Sequence, residues 1–363
     1  MPPFVEPVVE TSEKPTHADR RHPLYIGDWE RSIPYVHDTF AKDDLDEPHF
    51  KRKRAILEKH PEIQELYGID KSTKWITLAT VSAHLFCAYL FGRVLLDWNW
   101  TMVVCSYAVG GTLTQAFGSI IHECCHALTH ESLLVNRMIG LLVNVGIPVP
   151  IAQSFRRYHL EHHTFQGVLG KDPDLPMEWE VRLISGNAFL KFLWLLIFPI
   201  MYVVRGAAMG KNPSFWEIVN IVFTISTDIC IWFVCGPRGF LYMMLSLWWG
   251  YSINPAAAHF IQEHYTWDDG QETYSYYGSM NKLTLNIGFH NEHHDFTKVA
   301  WSKLPAVREI APEFYNTINY HESWFRVLWE FITMPSFGPQ SRVGRDYADH
   351  QKARKMVKTE KTQ

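Results

Sequence analysis

The stretch Gly288-Phe289-His290-Asn291-Glu292-His293-His294-Asp295-Phe296 carries three histidines at i, i+3 and i+4. On a helix that spacing stacks the three imidazoles along one face. The same spacing recurs upstream in His159-Leu160-Glu161-His162-His163, and an i, i+4 pair stands in His122-Glu123-Cys124-Cys125-His126. These three windows hold eight of the nineteen histidines. Any single pair could be a surface or capping feature. Three converging faces imply more than one metal ion, because one helical face offers at most two or three imidazole donors to a centre.

The chain around these windows reads as an integral membrane protein. Of its 363 residues 47% are hydrophobic and 14% aromatic, and the apolar residues are gathered into runs separated by polar blocks. Runs at 75–96, 100–121, 215–235 and 240–259 are each about the 20 residues a bilayer-crossing helix needs. The turns between the paired runs are short, Asp97-Trp98-Asn99 and Gly236-Pro237-Arg238, so the expected fold is all-α with four transmembrane helices in two hairpins. Basic residues concentrate in the amino-terminal block, the block 122–212 and the carboxy-terminal block, which places all three in the cytosol together with every histidine window. The expectation is a cytosolic helical cap holding a histidine-rich di-metal site.

The remaining segments fill in this plan. Residues 1–70 are a polar cytosolic segment with neither a signal-peptide core nor a myristoylation glycine. Within it, 46–67 forms two short amphipathic helices broken by Pro61, and Lys51-Arg52-Lys53-Arg54 faces solvent or lipid headgroups. Residues 71–342 form the membrane domain, in which 133–149 is re-entrant or interfacial, 170–180 is a loop and 188–204 lies in the interface. The basic end, within 343–363, is expected to be disordered. The six cysteines form no CxxC pair and read as reduced thiols, and a net charge of −4 without a basic stripe argues against a nucleic-acid partner. Asp228 inside the third run must face protein or water.

Other candidates lie near the fourth run. His259 is placed to join the metals, and His264, His130 and Asn254 are weaker candidates, Asn254 as holder of a metal-bound water. His84 in the first run reads as a buried histidine with a hydrogen-bond partner. Glu161, Glu292 and Asp295, next to ligands, are placed to accept imidazole N–H groups. Asp172-Pro173-Asp174 and 272–277 could read a polar headgroup.

Imidazole alone does not choose among zinc, iron, copper and nickel. His122-Glu123-Cys124-Cys125-His126 fits the HExxH pattern of a membrane-embedded zinc protease, but that reading leaves the other two windows idle. Metal transport or sensing would need a polar line through the spans, and only Asp228 supplies one. Redox chemistry on an alkyl chain uses all three windows.

The ordered set HECCH, HLEHH and HNEHH resembles the histidine boxes of membrane fatty-acid desaturases and hydroxylases. The stretches 46–66, 155–163 (FRRYHLEHH), 259–265 (HFIQEHY), 272–278 (ETYSYYG) and 286–296 (NIGFHNEHHDF) resemble, more narrowly, the sphingolipid delta-4 desaturases. The likeness runs from about residue 28 to 342. It implies a di-iron oxidoreductase of the endoplasmic reticulum membrane, multi-pass with its active site facing the cytosol. Such an enzyme uses O2 and electrons from cytochrome b5 and its NADH-dependent reductase to make ceramide from dihydroceramide. The C4–C5 bond of the sphingoid base becomes a trans double bond, and a C4-hydroxylase or a bifunctional enzyme is the alternative outcome. Carried over, His122, His126, His159, His162, His163, His290, His293 and His294 are catalytic iron ligands, with His259 as a further ligand. Asn254 stands five residues before His259, where the family spacing is four, and His22-Pro23 continues as Leu24-Tyr25, without the HPGG of a fused cytochrome b5.

Overall fold

The computed structural model describes residues 27, 29–34, 39–43 and 47–360. The expectations for residues 1–26, including His22-Pro23, for Asp46 and for 361–363 lie outside the described residues. Strand β1 (Ala41–Lys42) precedes helix α1 (His49–Lys59), which stops ahead of Pro61; a 3-10 turn then spans Pro61–Leu66. Ile56 and Ile63 are buried from these two elements, as the apolar spacing requires. The basic run of α1 differs from its expectation, because Arg52 is buried and ion-paired rather than presented to solvent or lipid.

Helix α2 (Thr73–Tyr89) continues through a π turn at Leu90–Val94. After Asp97, α3 (Asn99–Cys105), a second π turn (Ser106–Gly110) and α4 (Gly111–Cys125) follow without a break. Short α5 (Leu133–Asn144) and α6 (Ala152–Phe165) pack on α4. Helix α7 (Glu178–Ile184) begins inside the expected loop. Helices α8 (Ala188–Leu196) and α9 (Phe198–Ala208) meet at a 75° bend. Lys191, which interrupts that apolar run, is buried and donates to the carbonyls of Met334 and Phe337 at 2.7 and 3.0 Å.

The longest element, α10 (Phe215–Gly250), is broken at Gly236, whose φ of 75° and ψ of 171° are not helical. Pro237 next to it supplies no N–H for a continuous ladder. It packs against α2, α4 and both π turns, and each π turn carries a glycine, Gly92 or Gly110, where a Cβ would collide with α10. Arginines lace the Gly236 end. Arg93 donates to the carbonyls of Phe233 and Val234 at 2.6 and 3.0 Å, and Arg238 to that of Phe91 at 2.9 Å. Two helical stretches, Thr73–Val94 and Phe215–Gln262, are long and apolar enough to cross a membrane, and the bent α8–α9 pair makes a third if taken as one span. Asp228 is half-buried.

The fourth apolar run ends at Gly250 rather than near 259. Asn254 caps a 3-10 turn (Pro255–Ala258) before the single turn of α11 (His259–Gln262). A buried loop leads to α12 (His290–Asp295), followed by α13 (Leu304–Ile310), α14 (Pro312–Tyr315) and α15 (Trp324–Thr333). Strand β2 (Val343–Gly344) pairs in parallel with β1, tying the two ends of the described chain together. Where composition suggested disorder, α16 (Tyr347–Glu360) forms instead, with Tyr347 and His350 against the ring of Phe165. All six cysteines are free.

Candidate metal centre

Helices α4, α6 and α12 bring seven of the eight window histidines into two donor groups. His122, His126, His159, His163 and His293 form one and His162, His264 and His294 the other, with ligand atoms inside each group within 4.8 Å of one another. In the first, Nε2 atoms follow each other closely. His122 lies 3.0 Å from His293, His293 3.1 Å from His163, His163 2.9 Å from His159 and His159 3.0 Å from His126. Metal–imidazole bonds of about 2.0–2.1 Å at right angles place neighbouring donors about 3 Å apart, the spacing seen here. Hydrogen bonding alone cannot satisfy such a cluster, because each neutral ring has one N–H to give.

In the second group His264 Nε2 is 2.9 Å from His162 Nε2 and 2.8 Å from His290 Nε2, which brings the eighth window histidine to its edge. Nε2 of His294, Nδ1 of His293 and Nδ1 of His264 are buried without a hydrogen-bond partner among the described residues. Burial, then repulsion from neighbouring rings, holds His126, His159, His163, His264, His290, His293 and His294 well below the ordinary histidine pKa. Rings kept neutral retain the lone pair a metal needs. The donor set therefore fits two ions.

His259, expected among the ligands, lies outside both groups. Its Nδ1 is 2.7 Å from Glu263 Oε1 and its Nε2 is 3.0 Å from Gln115 Oε1; because Gln115 donates its amide to Gly250, that oxygen is an acceptor. Both nitrogens of His259 thus face acceptors. His264, one turn further on, takes the inward position. Asn254 donates from its amide to the Tyr107 carbonyl at 3.1 Å and accepts the Ala256 N–H at 2.9 Å. His130 Nδ1 accepts from Ser132 N–H in a turn. His84 packs against Phe117 and Tyr242, and neither ring nitrogen has a hydrogen-bond partner among the described residues, contrary to expectation.

Glu161, Glu292 and Asp295 do not orient the rings next to them in sequence. Glu161 pairs with Lys211, Glu292 accepts from Ser275 and Tyr277, and Asp295 accepts from His49, Arg52 and Tyr315. Glu123 does stand beside its neighbour, with Oε1 3.5 Å from His122 Nδ1. Asp172, in the loop after α6, instead takes the Nδ1–H of His162 at 2.9 Å and the Gly167 N–H at 2.8 Å. Burial opposes the charge on Asp172, and His162 outweighs it, holding the carboxyl below its usual range. Burial pushes Glu292 up to about 7. Asp172→Asn is expected to lower metal affinity about 10–100-fold, the usual cost of removing a ligand's supporting partner, as read by chelator competition on the purified chain.

Glu123, the base of the protease reading, is buried, accepts the Trp301 N–H at 3.0 Å on Oε2 and has Oε1 3.5 Å from His122 Nδ1. The 272–277 stretch is likewise committed internally: Glu272 to Arg345, Tyr274 to the Gln271 carbonyl, Ser275 and Tyr277 to Glu292. A cavity of about 510 Å³ opens beside the donors. His122, His159, His162, His264 and His290 form one wall and Val149, Ile151, Phe155, Val203, Phe260 and Ile287 line its apolar part, with Asp174, Tyr202, Tyr251 and Glu263 also facing in.

A mostly helical fold with apolar helices and two histidine groups beside an apolar cavity is the architecture to set against known proteins, and the comparisons name its class. The sequence profile of the fatty acid desaturase family matches residues 98–326, and the chain belongs to that family. Within it the chain belongs to the sphingolipid delta(4)-desaturases, oxidoreductases whose own profile matches residues 40–72. It is 40% identical to sphingolipid delta(4)-desaturase DES1 of Drosophila melanogaster over 303 residues, covering 83% of this chain and 93% of that one. It is 36% identical to the DES1 of Homo sapiens over 315 residues, 86% and 95% of the two chains. The DES1-like protein of Oryza sativa subsp. japonica is 39% identical over 302 residues, 83% and 90%.

Proposed function

We propose that this chain desaturates the C4–C5 bond of the sphingoid base of dihydroceramide, using two irons, O2 and electrons delivered by cytochrome b5 and its reductase. The observation that carries this reading is the pair of buried histidine groups beside an apolar cavity that several of them line. His122, His126, His159, His163 and His293 would hold one iron and His162, His264 and His294 the other, with His290 beside the second. When bound, the irons supply the O2-dependent oxidising power that breaks two unactivated C–H bonds.

The protein's own part is placement. The bond to be oxidised is one carbon from the C3 hydroxyl and two from the carbon bearing the amide, so headgroup and reacting carbons must lie at the same end of the cavity. Asp174, Tyr202, Tyr251 and Glu263 line the cavity that His264 and His290 also line, and the apolar side chains beyond them accept the chain. Burial of that apolar surface positions the base and keeps bulk water from the donors.

Four membrane crossings with the histidines in the cytosol fit the same reading. A straight helix of 36 residues would be about 54 Å long. Near its start, Asn220 bonds Asn144 and the Gln153 N–H, whereas its last residue, Gly250, accepts from Gln115 of α4. Both ends of α10 thus meet the α4–α6 layer, which supports a reversal at Gly236. An endoplasmic reticulum location follows from the substrate.

The test is expression in cells lacking their own desaturase, with lipid mass spectrometry. The expected product is ceramide with a trans C4–C5 double bond, absent in His162→Ala and His293→Ala. Retained ceramide in either variant removes that ligand assignment, and a 4-hydroxy product alone would make the enzyme a hydroxylase.

A further inference from the structure

Helix α1 lies outside the stretch matched by the general desaturase profile and inside the 40–72 matched by the narrower one. Its buried face meets α12, and α12 is only six residues long. Three of those six, His290, His293 and His294, face the donor groups. Asn291 and Asp295, at i and i+4, face the other way and are gripped by α1.

The grip is specific. Arg52 Nε donates to Asp295 Oδ2 at 2.7 Å and its Nη2 to Asn291 Oδ1 at 2.8 Å. His49 Nδ1 lies 2.9 Å from both Asp295 Oδ1 and Arg52 Nη2, and its Nε2 is 3.1 Å from the Thr273 hydroxyl. The Tyr315 hydroxyl completes the carboxylate at 2.9 Å. The His49 ring also lies against that of His294, with centroids 4.7 Å apart. His49, Arg52, Asn291, Asp295 and Tyr315 are all at most 3% exposed.

We propose that His49 and Arg52 are positioning residues for the second donor group: by fixing Asp295 and Asn291 they set the rotation of α12 and hold the His294 ring toward His162 and His264. The proposal rests on the metal reading above. A helix of one and a half turns has no internal means of fixing its rotation, and metal donors must be held within about 0.5 Å and 10–20°. Five buried side chains, joined by hydrogen bonds to one another rather than to a donor histidine, supply that constraint. The segment characteristic of the sphingolipid branch thus serves as a brace for the metal centre.

The test uses the purified full chain loaded anaerobically with ferrous iron, comparing wild type with His49→Phe and Arg52→Lys. Phenylalanine keeps the ring against His294 and loses the bond to Asp295; lysine keeps the charge and cannot reach Asp295 and Asn291 together. The expected result is two irons per chain in wild type. In both variants the second iron binds about tenfold more weakly and its Mössbauer signal is altered, with kcat lowered and KM for the lipid unchanged. Wild-type affinity and spectrum in either folded variant overturns the brace. Fewer than two irons in the wild type instead overturns the metal reading, and the proposal with it.

Discussion

His264→Ala is expected to abolish ceramide formation, and His259→Ala to leave it measurable. The first change removes a donor whose Nε2 lies 2.9 Å from His162 and 2.8 Å from His290, and whose only neighbours at that nitrogen are other imidazoles. Losing one of three donors is expected to cost more than 100-fold in product and to lower bound iron from two toward one, beyond the usual penalty for losing a supporting partner. His259 bridges Gln115 and Glu263, so its removal loosens the cavity wall and costs about tenfold or less. Product yield and iron per chain, measured on the two variants side by side, decide the matter. Equal loss in both would return His259 to the ligand set.

Arg345→Leu is expected to destabilise the protein by about 3–5 kcal/mol, because it strands a buried acid. The guanidinium, 1% exposed, meets both oxygens of Glu272 and also reaches Asp43 at 3.3 Å. Its backbone N–H bonds the Gly167 carbonyl and its carbonyl accepts from Leu169 N–H, so the same residue braces the loop that presents Asp172. Arg345→Lys recovers little, since an ammonium cannot reproduce two parallel bonds to one carboxylate. Arg345→Leu with Glu272→Leu is expected to recover more than Arg345→Leu alone, because Glu272 is then no longer a stranded charge. Thermal unfolding in detergent, followed by size exclusion, checks the order of the four proteins.

The clustering of seven of the eight window histidines could be read from sequence because their spacing is one that a helix converts directly into a shared face. His264 could not be chosen over His259 on that basis. The two are five residues apart, and the choice depends on where α10 stops and on the turn that Asn254 caps. Asp172 was visible as part of an acidic loop, but its bond to His162 depends on how residues 166–172 are folded back by a strand near the far end of the chain. Arg52 looked like one cation in a basic run. Its partners, Asn291 and Asp295, are more than 200 positions away, and nothing in local composition marks one arginine of four for burial. Apolar runs located the long helices, while the π turns at Leu90–Val94 and Ser106–Gly110 left no trace beyond their glycines.

The parallel pairing of β1 with β2 has a consequence in time. Asp43 and Arg345 are separated by 302 positions, and Arg345 also holds the backbone at Gly167. During synthesis the first two histidine windows leave the ribosome long before the residue that secures the loop behind His162. A nascent chain therefore passes through a long interval with most of its donors made but one of its two pockets still unlatched, and an ion captured then would sit in an unfinished holder. On the two-ion reading, competent loading would wait for residue 345, so a chain cut short before it should reach the membrane intact in its apolar helices and still never mature.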